Sequence, residues 1–470
     1  RKRYRRTSSA LTATALVVSD MLAAMLCFGA GFFIVNAWDM SAINFSSFVT
    51  YWPYIPIFII FFQVMQLYPG VSLAPAEELR RFTYASLLAH GSIIVSRSIE
   101  DMEFGAISIA FIISFVCSPV ILLFFRGRMH RFLRRAHLSG IPAVIYGAGS
   151  MGRIVVDHLI HGKATGYVPV LILDDDPAAG DGYRGVPIIH DTSLGPKLVR
   201  RFNIKMAIVA MPGLSQEELA HILNYSVSAF RYNVLIPDFF SSANIWMSIR
   251  DFDGVLGLAT IHKLKMPWNL FFKRFIDILF VILMTLILSP IFLLIAAAIK
   301  LTSPGPVLYG HERIGRNGKP FKAWKFRSMV IDADERLAAL LDADPALRAE
   351  WELSHKLKND PRVTGIGRLL RKTSFDEFPQ FINILLGQMS LVGPRPVVRE
   401  ETEKYGEAFA RIFSVRPGLT GLWQVSGRSD TDYAERVAYD SYYLQSWSVW
   451  LDLWVLYKTP VQIIAGKGAY

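Results

Sequence analysis

The stretch TSFDEFPQ, residues 373–380, sets Asp376 and Glu377 side by side just after the basic pair Arg371–Lys372. Two adjacent acids suit two kinds of work. They fit the first turn of a helix, where backbone N–H groups and the helix dipole favour negative charge, and Ser374 with Glu377 has capping-box spacing. They also fit chemistry, with an ionised carboxylate as nucleophile or as metal ligand. Pro379 restricts the helical reading, because proline is tolerated only in the first turn. A helix is therefore expected to begin near 375–378, with Asp376 at or beside its cap and stabilised as an anion.

Downstream, SLVGPRP (390–396) places Arg395 between two prolines that hold the backbone extended, and Gly393 permits close approach by a ligand. A rigidly presented guanidinium matches phosphate in a bidentate fork; a proline turn with an exposed Arg is the plainer alternative. Further basic groups recur near glycine and proline: Lys325 and Arg327 in WKFRSM, several in KNDPRVTGIGRLLRK (358–372), and Arg416 and Arg428 in RPGLTGLWQVSGR. Single charges of this kind ordinarily face solvent. Their density beside an acidic pair suggests a site for a polyanion that needs Mg2+. Nucleic acid is the rival polyanion, but the charges fall in loop positions rather than along one helix face, so no nucleic-acid partner is expected.

These residues belong to a chain of 470 residues that is 52% hydrophobic yet carries 50 Lys+Arg against 39 Asp+Glu, a net charge of +11. A protein partly in lipid and partly in water fits that balance, with anionic partners. The two cysteines, Cys27 and Cys117, lie inside apolar runs and provide no disulfide or metal framework. Four apolar segments, at about 10–35, 46–68, 83–99 and 104–125, approach the roughly 20 residues needed to cross a bilayer. The third is the weakest, since it carries His90 and Arg97. RKRYRR precedes the first segment, Arg80–Arg81 separate the second and third, and RGRMHRFLRR follows the fourth, which puts both ends on the cytoplasmic side. Asp20, inside the first segment, is a functional candidate, or else a carboxylate near the cytoplasmic interface or bonded to a neighbouring helix, and the non-functional reading is preferred.

From about 137 the pattern changes. PAVIYGAGSMGRIVVDHLI reads as strand, glycine turn and helix; VPVLILDDDP, MAIVAMP and NVLIPDF read as further buried strands of a parallel α/β unit. GAGSMG (147–152) matches the dinucleotide fingerprint, with Asp174–Asp176 at the distance of a ribose-binding acid. The same glycines also serve strand–helix packing alone. No paired Tyr and Lys at helical spacing follows, and no bound NAD(P) is expected. KRFIDILFVILMTLILSPIFLLIAAAIK (273–300) is then long enough to span, with Ser289–Pro290 near its middle. Proline removes a helix hydrogen bond, and the serine hydroxyl is placed to cover the freed carbonyl. The segment is either a kinked spanning helix or a hairpin that enters and leaves one leaflet. The Trp- and Tyr-rich end of the chain suits a membrane interface or a core helix.

Together KFRSM, KNDPR.T..G..LRK.S.DE.PQ, SLVGPRP and RPG.TG.WQVSGR resemble the bacterial sugar transferases, or monotopic phosphoglycosyl transferases, over about 270–470. KRF.D and the central Ser-Pro resemble that family's re-entrant membrane helix. The first 270 residues resemble the N-terminal part of its large form, and YGHERIGRNGK, DPALRAEW and the terminal GAY are most similar to its undecaprenyl-phosphate galactose phosphotransferases. The resemblance implies a mixed membrane protein: a four-helix transmembrane bundle (1–136), a Rossmann-like α/β domain (137–262), a linker and re-entrant helix broken at Ser289 and Pro290 (263–300), and an α-rich catalytic domain (301–470). It implies that Asp376 is the nucleophile, Glu377 the Mg2+ ligand and Arg395 a phosphate contact. Arg327, Lys325, Arg416, Arg428 and Asp440 are carried as further phosphate- or nucleotide-binding candidates by their place beside the motifs. The implied reaction moves a hexose-1-phosphate, galactose before glucose, from a UDP-sugar to undecaprenyl phosphate in O-antigen or exopolysaccharide assembly. A homodimer in the bacterial inner membrane, with its catalytic domain on the cytoplasmic face, completes the expectation. An oxidoreductase or epimerase built on GAGSMG, and an N-terminal module with no chemistry of its own, are the other readings.

Overall fold

The computed structural model describes residues 9–38, 49–68, 74–101, 105–136, 138, 140–161, 167–202, 204, 206–236, 247–252, 255–260, 263–344, 347–348, 357, 360–426 and 433–464. The chain forms two compact units, Arg1–Ala243 and Asn244–Tyr470.

In the first unit the apolar runs become helices α1 (Ser9–Trp38), α2 (Ile55–Val64), α3 (Pro75–Asp101) and α4 (Ala106–Arg135). They share one core, in which Phe28 meets Phe111 edge-on at 5.1 Å and Phe62 meets Phe82 at 5.2 Å. Helices α1 and α4 are long and apolar enough to cross a membrane; α2 is a shorter apolar helix, and α3 falls outside both groups. His90 of α3 is buried, with Nδ1 2.8 Å from the Ser86 carbonyl and Nε2 2.9 Å from Ser114 Oγ. A carbonyl only accepts, so Nδ1 carries the proton and Nε2 accepts from the serine.

Asp20 is bonded to its neighbours, as preferred from sequence, but its main partner comes from a residue that the charge pattern assigned to the cytoplasmic flank. Arg126 is fully buried and pairs with Asp20 at 2.9 Å and with Glu78 at 2.6 Å. It also donates to the Leu67 carbonyl, and its guanidinium lies 4.9 Å from the Phe82 ring centroid. Tyr68 donates to Asp20 at 2.9 Å. One guanidinium thus binds α1, α3, α4 and the end of α2 together.

The α/β region is a six-stranded sheet in the order β3-β4-β2-β1-β5-β6, with β1 Ile141–Tyr146, β2 Tyr167–Leu173, β3 Gly182–Tyr183, β4 Val186–Ile189, β5 Met206–Val209 and β6 Tyr232–Leu235. All pairings are parallel except β3–β4. Buried side chains cover both faces, as a parallel sheet requires. The GAGSMG turn leads from β1 into α5 (Ser150–His161). Two of its glycines are there for packing. Gly147 has φ +105°, and a Cβ on it would lie 2.6 Å from the Ala210 carbonyl; a Cβ on Gly152 would lie 1.9 Å from the Gly147 carbonyl. Asp174 spends both oxygens on backbone amides, accepting from Ala148 at 2.6 Å and from Asp176 at 3.0 Å. The acid at the ribose-binding distance therefore already caps the glycine turn itself.

The second unit begins with the hairpin β7 (Met247–Phe252) and β8 (Val255–Thr260), so it takes in residues that the sequence grouped with the α/β region. Helix α6 (Pro267–Thr302) follows, 36 residues or about 54 Å long at 1.5 Å per residue. Its helical pattern continues through Ser289 and Pro290, and Ser289 Oγ donates to the Leu286 carbonyl at 2.9 Å. That carbonyl is the one that proline leaves without its N–H partner. Leu286, Ile287, Leu293 and Leu294 are exposed along α6, and it is long and apolar enough to cross a membrane. Beyond it come the antiparallel hairpin β9 (Leu308–Ile314) and β10 (Pro320–Phe326), helices α7 (Gly365–Thr373), α8 (Gln380–Leu385), α9 (Tyr433–Ser446) and α10 (Val449–Ile464), and the parallel pair β11 (Ser390–Val392) and β12 (Gly418–Thr420).

Removing the central guanidinium of the first unit leaves two acids buried without a counter-charge. Arg126→Leu is expected to cost about 3–5 kcal/mol, read as a large drop in unfolding temperature in detergent. Adding Asp20→Asn and Glu78→Gln to that variant should restore part of the loss, because the uncompensated charge is then gone.

Candidate active site

The beginning of α6 is fastened to the folded part of its unit by the three polar residues of KRFID. Lys273 Nζ donates to the Val392 carbonyl at 3.0 Å, to Tyr443 at 3.1 Å and to Asp452 at 2.6 Å. Arg274 caps the end of α8 through the Ile384 and Leu385 carbonyls, the latter at 2.9 Å. Asp277 is buried and accepts from Ser390 Oγ at 2.8 Å and from the Leu391 amide at 3.1 Å. The later part of α6 packs Phe292 against Phe378 at 5.5 Å and Phe381 at 6.3 Å. Phe375 in turn meets Phe378 at 4.9 Å. The aromatics that bracket the two acids therefore rest on the membrane-capable helix.

Asp376 and Glu377 do not sit in the first turn of an α-helix. Ser374 adopts a left-handed conformation (φ +58°) and closes α7, its N–H bonding to carbonyls of that helix. Phe375–Glu377 is a separate 3-10 turn, and α8 begins only at Gln380, behind Pro379. No side-chain cap forms at Ser374, so the capping box expected from Ser374 and Glu377 is absent. Left-handed backbone at Ser374 and the missing amide of Pro379 divide the stretch into three short elements.

This turn faces β10. Asn383 fixes the strand through its carboxamide, accepting from the Trp324 amide at 3.0 Å and donating to the Lys322 carbonyl at 2.7 Å. Lys325 is thereby held opposite the acids, its Nζ 2.7 Å from Glu377 Oε1 and 3.7 Å from Asp376 Oδ2. The acids differ in environment. Burial pushes the Asp376 carboxyl up from its ordinary value, against the pull of Lys325. Burial would raise Glu377 too, but Lys325, Arg395 and Arg313 together hold it below its ordinary value. The stabilisation of the anion expected at Asp376 is thus corrected in direction: its carboxyl is shifted up, because desolvation outweighs its cationic neighbours.

A pocket opens beside the pair, walled by Arg313, Lys325, Glu377, Gln380, Arg395 and Gln424 among others. Arg395 is exposed between the buried Pro394 and Pro396. Its loop is pinned by hydrogen bonds from the Gly393 amide to the Thr420 carbonyl (3.0 Å) and from the Gly418 amide to the Pro394 carbonyl (2.8 Å). The motifs SLVGPRP and RPGLTG therefore form one backbone-to-backbone unit. Two guanidiniums lie over the Trp423 ring, Arg395 Cζ 5.8 Å and Arg436 Cζ 4.9 Å from its centroid.

The remaining sequence candidates lie elsewhere. Arg327 is buried and donates to the Pro304 and Ser303 carbonyls, both at 2.7 Å, closing the end of α6. Arg416 donates to the Gly387 carbonyl at 2.8 Å, and burial lowers its pKa. Asp440 is buried beside Tyr405, which donates to it at 3.3 Å, and burial pushes its carboxyl up to about 7. None of these three lines the pocket. Arg428 is outside the described residues. Sequence reasoning passed over Arg313, Gln380 and Gln424, although all three stand inside stretches singled out for other residues.

Among the described residues no three His, Cys, Asp or Glu side chains converge as a ready-made metal site. The chemistry of the donor set still fits Mg2+, which ordinarily takes one or two carboxylates and completes its shell with phosphate and water. Glu377 borders a pocket whose other charged groups match phosphate, and Asp376 lies beside it across Lys325.

Residues 268–466 match the bacterial sugar transferase family, and residues 74–229 match a CoA-binding domain family. The chain is 37% identical over 354 residues to the undecaprenyl-phosphate galactose phosphotransferase of Salmonella typhimurium, covering 75% of this chain and 74% of that protein. It is 33% identical over 385 residues to the UDP-galactose-lipid carrier transferase of Erwinia amylovora, covering 79% and 80%. The UDP-glucose:undecaprenyl-phosphate glucose-1-phosphate transferase of Escherichia coli is 36% identical over 276 residues, covering 57% and 56%.

The contact between the two motif loops leaves no room for a side chain. A Cβ on Gly418 would lie 2.1 Å from the Gly393 amide nitrogen, whereas one on Gly365 would meet nothing within 4 Å. Gly418→Ala is expected to cost at least about 2 kcal/mol and to displace Arg395. Gly365→Ala should leave stability near that of the parent. Thermal unfolding of the two variants in detergent checks the contrast.

Proposed function

This chain belongs to the bacterial sugar transferase family, and we propose that it transfers galactose-1-phosphate from UDP-galactose to undecaprenyl phosphate, releasing UMP. The observation that carries the reading is the Asp376–Lys325–Glu377 cluster beside a pocket walled by Arg313 and Arg395. Galactose is preferred to glucose because two galactose-named relatives align over about three quarters or more of the chain, and the glucose-named one of Escherichia coli over 57%.

Donor and acceptor are both anionic, so direct attack of one on the other brings two charge clouds together. A carboxylate nucleophile divides the transfer into two steps with fewer charges present in each. Asp376 Oδ attacks the β-phosphorus, the bond to the α-phosphate oxygen breaks, and UMP leaves with the electron pair. An acyl phosphate bearing the hexose remains on Asp376. An oxygen of the lipid phosphate then attacks the same phosphorus, and the Asp376 carboxylate is regenerated. Arg395 and Arg313 bind and orient the phosphates. Glu377, with Asp376 beside it, would hold Mg2+, which supplies charge neutralisation on the phosphoryl oxygens.

Because the acceptor lies at the bilayer surface and the donor in the cytosol, the catalytic unit works on the cytoplasmic face, and α6 enters and leaves the same leaflet. The first unit supplies a transmembrane bundle and a Rossmann-like domain, and the protein acts as a homodimer in the inner membrane; these features follow the family resemblance.

Intact and peptide mass spectrometry with Mg2+ and UDP-galactose, without lipid, tests the reading. A phosphohexose adduct on Asp376, absent in Asp376→Asn, is expected. UMP release only on adding lipid phosphate, with no adduct, would replace the two-step route by direct transfer. Adduct formation with UDP-glucose faster than with UDP-galactose would reverse the donor assignment. A cysteine placed at Lys319, in a protein lacking Cys27 and Cys117, should label only from the cytoplasmic side; labelling from outside would make α6 a spanning helix. The pH dependence has a definite sign. Burial raises Asp376, so adduct formation should fall with acid at a higher pH than for an ordinary aspartate.

A further inference from the structure

We propose that Lys325 holds the place of the divalent cation in the free enzyme, and that it passes from Glu377 to the donor's diphosphate when cation and donor arrive together. The inference rests on the transferase reading above and assigns Lys325 a part in the order of binding.

The first ground is contact. The ammonium is 2.7 Å from Glu377 Oε1 and 3.7 Å from Asp376 Oδ2, so it already occupies the position between the acids that a cation would seek. The second is charge. Arg313, Lys325 and Arg395 face Glu377 around one pocket, with Asp376 against Lys325, so positive charge is in excess before any metal binds. Glu401 offsets this weakly, 3.9 Å from Arg313 and partly exposed. A bare divalent ion entering such a pocket meets repulsion from three cations. A diphosphate entering without the ion meets the two carboxylates. Entering together, each removes the other's obstacle.

The third ground is mobility of the right part. The β10 backbone on both sides of Lys325 is fixed, at Trp324 and Lys322 by Asn383, and at Phe326 in the apolar cluster with Leu370. The lysine stem is the free element, 26% exposed at the pocket wall. A compact ammonium on a four-carbon stem can change partner without backbone movement, whereas a guanidinium fork would stay with one carboxylate. Lys325 is thus a positioning residue for Glu377 in the free enzyme and a phosphate ligand in the loaded one.

The arrangement makes cation and donor binding mutually dependent, and the coupling must be reciprocal. The probe is Mn2+, followed by electron paramagnetic resonance on the full chain in detergent, with UDP binding measured by calorimetry and corrected for the Mn–UDP complex in solution. Wild type is expected to bind Mn2+ weakly alone, and each ligand should raise the other's affinity by about tenfold or more. Lys325→Met should bind Mn2+ without UDP about tenfold more tightly than wild type and lose most of the coupling; Lys325→Arg should retain weak Mn2+ binding. Equal Mn2+ affinity of wild type with and without UDP overturns the proposal. So does a Lys325→Met protein whose Mn2+ affinity without UDP is unchanged or lower. If that variant does not fold, wild type and Glu377→Gln decide: the coupling must be present in the first and lost in the second. Failure of wild type to bind UDP at all would overturn the transferase reading as well, while UDP binding and an Asp376 adduct without coupling would remove only the role given to Lys325.

Discussion

Two carboxylates on consecutive residues, one of them buried, must stay together in a place that also accepts a polyanion. That electrostatic constraint organises the second unit. Asp376 and Glu377 cannot be left to repel each other and the ligand, so β10 delivers Lys325 between them and β9 and the proline loop deliver Arg313 and Arg395 around Glu377. The acids then diverge. Glu377, partly exposed, is held anionic by three cations, while Asp376 lies deeper and pays a desolvation cost. Neighbours in sequence thus acquire different properties, one shifted up by burial and the other held down by its cationic neighbours.

The second requirement is mechanical. The turn that carries the acids is short, and its precision comes from what holds it. Phe375, Phe378 and Phe381 bear on one another and on Phe292 of α6, while Lys273, Arg274 and Asp277 fix the start of α6 to β11, α8 and α10. The membrane-capable helix is therefore structurally continuous with the site. The distance between the acid pair and α6 is then set by packed side chains.

The first unit solves a different problem with the same physics. A single buried guanidinium, Arg126, joins four helices through two acids and a carbonyl. In the α/β region Gly147 and Gly152 let β1, α5 and the end of β5 approach closely, and Asp174 accepts from the buried Ala148 amide of the turn. The fingerprint and its acid are present, with the acid already committed to the turn's own backbone.

Sequence by itself determined the apolar helices, the parallel strands, the glycine turn and the acidic pair. Each of these is written in local periodicity, or in residue types such as glycine, proline and paired acids that act within a few positions. It also marked Lys325 and Arg395 as candidates, and the serine hydroxyl that covers the carbonyl freed by Pro290. Tertiary structure alone decided which basic residues meet the acids. Arg327 and Arg416 stand in equally suggestive motifs yet are spent on carbonyls of Ser303, Pro304 and Gly387, and Asp440 is buried beside Tyr405. Arg313 reaches the pocket from a strand remote in sequence. Nor was the state of Asp376 legible, because the helix start inferred from Ser374 and Glu377 is replaced by a left-handed residue and a 3-10 turn. The physical reason is the same in each case. A charged group is assigned its partner, and its pKa, by desolvation and by groups brought near through packing, and neither is a property of its neighbours along the chain.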